Sequence, residues 1–218
     1  MKKAILVTCD NNYSTVLSNA IVSIQKYATK IKADLHICYG GYPYFDRYQK
    51  LMDISDNYTH AAYIDCDCFL SSNAPDIFES GVYNVAYKPV EKQNKYRQEI
   101  CSFALDLFGI DFDPDYYCFG GLSVGPLPMV KELSRKVIAL SNNTKGKGLN
   151  KFLSNDEIYL AQVLKSDYPD FNRLDIRWMI NSGLALSGHE FYIAHPFLRK
   201  EDKVKELQKL TAKFGNHE

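Results

Sequence analysis

A chain of 218 residues is long enough to bury one sizeable core. Its 26 Lys and Arg balance 26 Asp and Glu, so no global field points to nucleic acid or to an anionic membrane. Hydrophobic residues at 46% and aromatic residues at 13% indicate a globular rather than a disordered protein, and no run approaches the ~20 apolar residues of a membrane span.

Ala4 to Cys9 (AILVTC) is a continuous β-branched and apolar run, which predicts a fully buried strand in parallel pairing. Asp10 ends it. Leu17, Ala20, Ile21, Ile24 and Tyr27 or Ala28 then recur at three and four, predicting an amphipathic helix capped by Asn12 or Ser14. Leu35 to Tyr39 reads as a second strand. This opening indicates a doubly wound α/β sheet, in which ligands bind beyond the carboxyl ends of the strands. Gly40 to Tyr48 reads as a turn-rich loop, after which Arg47 and Lys50 open a helix with Leu51, Met52 and Ile54 on its apolar side. A short helix from Pro75 follows, then a strand over Val82 to Tyr87 and a helix over Gln98 to Gly109 that stops at the glycine. Phe119 to Val124 is strand-like, and its Gly120-Gly121 pair lets another group approach the backbone closely. Pro128 to Leu140 is predicted helical and Ser141 to Lys151 a mobile basic loop. Ser154 or Asn155 then caps a helix that turns Ile158, Leu160, Ala161 and Leu164 inward. Asp175 to Ile180 is expected to be a strand. Leu184 to Ser187 and Phe191 to Ala194 are expected to pair as a hairpin about Gly188-His189, with His195-Pro196 at its end. Lys200 to Phe214 is a Lys-rich helix with Val204, Leu207, Leu210 and Phe214 aligned. No internal repeat and no linker stand out, so residues 1–218 are expected to form a single domain.

The six cysteines sit in mainly apolar runs without the C-x-x-C spacing of a zinc site, and read as reduced thiols of a cytosolic protein. The opening MKKAILVTC imitates a signal peptide, but Asp10 ends its apolar run too early.

The chemistry centres on Ala61 to Leu70, AAYIDCDCFL, where apolar Ala61, Ala62, Tyr63 and Ile64 run into Asp65-Cys66-Asp67. In an extended backbone, side chains at i and i+2 share a face. Asp65 and Asp67 would then project together, with Cys66 turned the other way. Carboxylates this close repel, and burying either alone is costly. A divalent cation suited to hard oxygen ligands, Mg²⁺ or Mn²⁺, removes both problems. A strand-end turn whose acids are solvated or paired with Lys or Arg explains the same residues without a metal. The chain has neither G-x-x-x-x-G-K-[ST] nor G-x-G-x-x-G after its first strand. A bound diphosphate would need positive charge from another source, which a cation on Asp65 and Asp67 would supply. Asp10, Asp156 with Glu157, and His195 are the other polar groups at predicted element ends.

The opening ILVTCDNNYSTVLSNAIVSI and the block YIDCDCFL resemble the GT-A nucleotide-sugar glycosyltransferases, most closely glycosyltransferase family 8, over residues 3–200. The resemblance implies an α/β fold with a mixed, mainly parallel central sheet flanked by helices. It implies a metal-dependent, hexosyltransferase-type enzyme that moves a sugar from a nucleoside-diphosphate sugar, uridine-based for preference, to a carbohydrate or glycoprotein acceptor. By the same resemblance, Thr8, Asp10 and Asn12 hold the nucleoside and Tyr13 stacks on its base. Asp65 touches ribose and metal, while Asp67 and His195 complete the ligand set for Mn²⁺ or Mg²⁺. Gly120 and Gly121 approach the sugar. Arg47 or Lys50, and one of Arg199, Lys200 and Lys203, with Lys200 the choice among them, assist the phosphates. Asp156 faces the reacting sugar, as base for the acceptor hydroxyl in an inverting reaction or as support for an oxocarbenium-like state in a retaining one. Three departures bear on donor sugar and stereochemistry more than on fold. Phe119-Gly120-Gly121 stands for Asn-Ala-Gly, Asn155-Asp156-Glu157 for Asp-Gln-Asp, and Glu201 for a lysine six residues past the histidine.

Two rivals remain. A sugar nucleotidyltransferase would carry a glycine-rich, Arg/Lys-containing loop where this chain has DNNYST. A nucleotide-sugar-binding module would share the fold without turnover. Tyr42, Tyr44, Tyr116 and Tyr117 are candidates to line an acceptor groove. The last helix would lie on the core, on a membrane surface or on a further domain of a larger multidomain glycosyltransferase, so the expected location is cytoplasmic or peripheral to a membrane.

Overall fold

Alternation along two adjacent strands sets the layers. β1 (Lys3–Cys9) turns Ile5, Val7 and Cys9 to one face and Ala4 and Leu6 to the other. β3 (His60–Ile64) likewise sends Ala62 and Ile64 one way and Ala61 and Tyr63 the other. With apolar side chains on both faces, the sheet needs a cover on each. On the first face lie α1 (Ser14–Lys30) and α7 (Lys200–Phe214); α2 (Pro43–Met52), α4 (Leu127–Thr144) and α5 (Asp156–Asp167) cover the second. α1 alone buries Val16, Leu17, Ala20, Ile24, Tyr27 and Ala28, and the larger apolar side chains contribute about 1.5–3 kcal/mol each.

The computed structural model describes residues 1–40, 43–79, 84–87, 95–109, 118–144, 156–168, 171–196 and 198–215. The central sheet also contains β2 (Ala33–Tyr39), β5 (Asn84–Tyr87), β6 (Cys118–Pro126) and β7 (Asn172–Arg173), in the order β2-β1-β3-β6-β5-β7. β1 is parallel to both β2 and β3, and β5 to β7; β6 runs antiparallel to β3 and β5. Because β6 opposes β3, with Ile64 facing Leu122, its Gly120 and Gly121 lie beside the point where β3 ends. A second sheet, β4 (Phe69–Leu70), β9 (Ile193–His195) and β8 (Ile180–Asn181), has β9 in its middle.

Several local expectations give way to tertiary contacts. The cap at the start of the first helical segment is Asp10, whose carboxylate accepts from the Tyr13 N–H at 2.8 Å and opens a 3-10 turn, Asn11–Tyr13, ahead of α1. α2 begins at Pro43, inside the expected loop, since proline is tolerated in a first helical turn, and it ends before Ile54. Only Ile77–Glu79, a 3-10 turn, forms near Pro75. α4 continues to Thr144, whose buried hydroxyl donates to the Ser141 carbonyl at 2.9 Å and lies 3.0 Å from the Tyr159 hydroxyl. Instead of a strand, Asp175 caps a 3-10 turn, Ile176–Trp178. Instead of a hairpin, Asn181 caps α6 (Ser182–Leu186), accepting from the Gly183 N–H at 2.8 Å, and β9 pairs with β4 and β8. α3 (Lys95–Phe108) stops as expected, with Gly109 at φ +68°. The expected caps Ser154 and Asn155, the basic stretch from 145 onward, the start of the expected strand at Val82, and Tyr42, Tyr116 and Tyr117 lie outside the described residues. Among the described residues no helix is long and apolar enough to cross a membrane.

Candidate active site

The acidic pair is built by a turn. β3 ends at Ile64, and the Cys68 N–H donates to the Asp65 carbonyl at 3.2 Å, closing Asp65 to Cys68. Strand alternation is therefore not what brings the two carboxylates together, although together they are. Cys66 between them packs against the α1-side core, to which Cys9 at the end of β1 also belongs, the Cys9 thiol donating to the Asp10 carbonyl at 3.2 Å. Cys9, Cys38, Cys66, Cys68 and Cys101 are free thiols.

His195, the last residue of β9, meets this turn. Its Nε2 lies 3.0 Å from Asp67 Oδ1 and 3.9 Å from Asp65 Oδ2. One ligand atom each from Asp65, Asp67 and His195 falls within a 4.8 Å cluster. Asp67 and His195 are buried. Lys203, from the first turn of α7, pairs with the other oxygen of Asp67, Oδ2. Burial and the Asp67 charge push the Asp65 carboxyl above its ordinary value. Burial acts the same way on Asp67, but His195 and Lys203 outweigh it and hold that carboxyl down. The Tyr63 hydroxyl donates to Asp65 Oδ1 at 2.8 Å and lies 3.1 Å from Thr8 Oγ1, so Thr8 reaches the acid through Tyr63.

A second charged group adjoins the first. Arg47 of α2 is buried; it pairs with Asp156 at the start of α5, stands 3.8 Å from Asp65 Oδ1, and donates to the Gly120 carbonyl at 2.5 Å. Its guanidinium carbon lies 5.0 Å and 4.9 Å from the ring centres of Tyr48 and Tyr63. A Cβ on Gly120 would lie 2.0 Å from Arg47 Nη2, so the group that the bare backbone admits here is this guanidinium. The Gly120 N–H in turn donates to Glu157 Oε1 at 3.3 Å, and the Gly121 carbonyl accepts from the Asp65 N–H at 2.9 Å. Asp156, also bonded by the Tyr48 hydroxyl, is pushed up to about 6 by burial, against the pull of Arg47.

Tyr13 lies at the same end of the sheet, its ring centre 5.6 Å from the Lys203 ammonium and 5.9 Å from that of Lys200. Asn12 is exposed beside it. Asp10 spends one carboxylate oxygen on its cap. Among the described residues, no hydrogen bond or ion pair of the kinds above joins Lys50 to the cluster, and Lys203 rather than Lys200 reaches Asp67.

A scan against family models finds no match, and neither does a search of curated protein sequences. Solved structures do match. One is the galactosyltransferase LgtC in complex with donor and acceptor sugar analogs, at 12% identity, covering 95% of this chain and 96% of that one, with a TM-score of 0.62. Another is a glycosyltransferase involved in the glycosylation of the major capsid of PBCV-1, at 10% identity, covering 95% and 100%, with a TM-score of 0.62. The chain has the GT-A glycosyltransferase fold. A third match, the bifunctional WbbM, covers 94% of this chain but 49% of its own, at 12% identity and a TM-score of 0.61.

Within this GT-A fold, Asp65, Asp67 and His195 form a donor set that fits a divalent cation: carboxylate oxygens and an imidazole nitrogen, with the half-buried Asp65 destabilised by the charge of Asp67. Sequence reasoning passed over Tyr48 and Tyr63 as site residues and did not give Lys203 precedence. For Lys203 a signal existed. It stands four and seven residues before Leu207 and Leu210, on the stripe that faces the core.

Proposed function

We propose that this chain is a metal-dependent glycosyltransferase that takes a sugar from a nucleoside-diphosphate sugar, with uridine diphosphate the expected nucleotide, and passes it to a carbohydrate or glycoconjugate acceptor. One observation carries the reading: two acids at the end of β3 and a histidine from a separate sheet converge on one point at the ligand-binding end of a GT-A fold. Asp65, Asp67 and His195 would hold Mn²⁺ or Mg²⁺ there. When bound, the ion supplies a Lewis acid for the charge that develops on the departing diphosphate.

The chain's own groups do the rest. Thr8, Asp10 and Asn12 line the end of β1 where the nucleoside would lie, with Tyr13 offering its ring to the base. Arg47 adds a fixed positive charge next to Asp65, held in place by Asp156, Gly120 and two tyrosine rings. Asp156 is the residue assigned to the reacting sugar, acting with the guanidinium it pairs with. The role of Gly120 and Gly121 is to keep the backbone low enough for both Arg47 and the sugar.

Calorimetry with uridine diphosphate, in the presence and absence of Mn²⁺, tests the reading directly. Binding should require the metal and be lost in Asp67→Asn; nucleotide binding indifferent to both would refute the assignment. For Asp156→Asn, donor binding should persist while turnover falls, a loss in kcat rather than in KM.

A further inference from the structure

The two oxygens of Asp67 have different partners. Oδ1 faces His195 Nε2 at 3.0 Å, and Oδ2 is taken by the Lys203 ammonium. The Lys203 side chain is 12% exposed; its stem continues the Leu207–Leu210 stripe of α7, and its charge lies between Asp67 and the ring of Tyr13. The Lys203 ammonium thus already pairs with Asp67, the carboxylate that would also face a cation, while Arg47 adjoins the other acid, 3.8 Å from Asp65 Oδ1.

We propose that Lys203 is a built-in competitor of the cation, which limits Asp67 to one ligand oxygen and makes metal uptake depend on an arriving diphosphate. The inference rests on the metal-site reading above. An ammonium a few ångströms from a divalent ion repels it strongly at low dielectric, so the ion alone enters at a disadvantage. A diphosphate between ion and ammonium reverses the sign of that interaction, since both cations then face phosphate oxygens. Metal and nucleotide are thereby coupled, and the coupling is reciprocal.

The test is calorimetric titration of Mn²⁺ alone into the full chain, for wild type, Lys203→Met and Lys203→Arg, repeated with saturating uridine diphosphate. Methionine keeps the stem and removes the charge; arginine keeps the charge. Without nucleotide, Lys203→Met should bind Mn²⁺ about tenfold tighter than wild type, about 1.4 kcal/mol, while Lys203→Arg should stay near wild type. Uridine diphosphate should strengthen Mn²⁺ binding less in Lys203→Met than in wild type. Equal or weaker Mn²⁺ affinity in Lys203→Met overturns the inference while leaving the transferase reading standing. Wild type that takes up no Mn²⁺ even with uridine diphosphate overturns the metal site itself, and this inference with it. Circular dichroism confirms that the variants fold, and Lys203→Gln replaces the methionine variant if it does not.

Discussion

A hydrogen atom at Gly120 is what allows Arg47 to lie across the strand. The missing Cβ would overlap the Arg47 guanidinium, which is buried and held on three sides, so it cannot swing aside cheaply. Gly120→Ala should destabilise the fold by about 1–3 kcal/mol in urea denaturation, the usual cost of overpacking. That cost should shrink when Arg47 is also replaced by Ala, because the clash has gone; strictly additive effects would refute the contact. Asp156 makes a separate prediction about pH. Its folded value near 6 stands above the ordinary carboxyl value of about 3.9, so the folded chain holds this proton more tightly than the unfolded chain. The contribution of Asp156 to stability therefore falls as pH rises from about 4 to about 6 and is level above that. Measured in urea across this window, the unfolding free energy of wild type minus that of Asp156→Asn should fall as pH rises; a constant difference would show that burial does not govern this carboxyl.

Among the elements, α7 links packing to chemistry. Its Leu207 and Leu210 are fully buried, while Lys203 on the same stripe reaches Asp67. Leu207→Ala should cost about 2–5 kcal/mol in thermal or urea unfolding, the range for truncating a buried leucine. It should also weaken nucleotide binding, because the helix that aims Lys203 is seated by that side chain; a stability loss with unchanged nucleotide affinity would separate the two roles. The elements that could be read from sequence are those long enough to show a period. α1, α3 and α7 repeat apolar residues at three and four, and β1 is a buried, mainly apolar run that Asp10 ends, while β2 shows a shorter run, Leu35 to Tyr39, broken by His36. The second sheet could not be read this way. Its strands are two or three residues long, too short for a period, and exist only because β9 finds β4 and β8 as partners. The hairpin expected over 184–194 failed for that reason, and because Asn181 caps a helix where an apolar run suggested a strand. The acids Asp65 and Asp67 were legible as a pair, but the turn that joins them was not, since alternation and a tight turn both place i and i+2 close together.

Across the whole molecule, the candidate cation site lies where the two sheets meet. Asp65 and Asp67 leave the central sheet at β3, and His195 ends the middle strand of the small sheet. Between β3 and β9 the chain passes through most of its length, so a cation held by all three residues would fasten together parts that are remote in sequence. Anything that binds the folded chain and not the unfolded one adds stability by mass action, about 2.7 kcal/mol at a hundredfold excess over Kd. For a domain of this size each kcal/mol raises Tm by about 2–4 °C, so Mn²⁺ at that excess, with uridine diphosphate present, should raise Tm by roughly 5–10 °C. Chelation should reverse the shift. His195→Ala should abolish most of it at the same metal concentration, although Asp65 and Asp67 remain, because the small sheet then contributes no ligand. A shift of equal size in His195→Ala would mean that the cation is held by the acidic turn alone, and that the meeting of the two sheets serves packing rather than the metal.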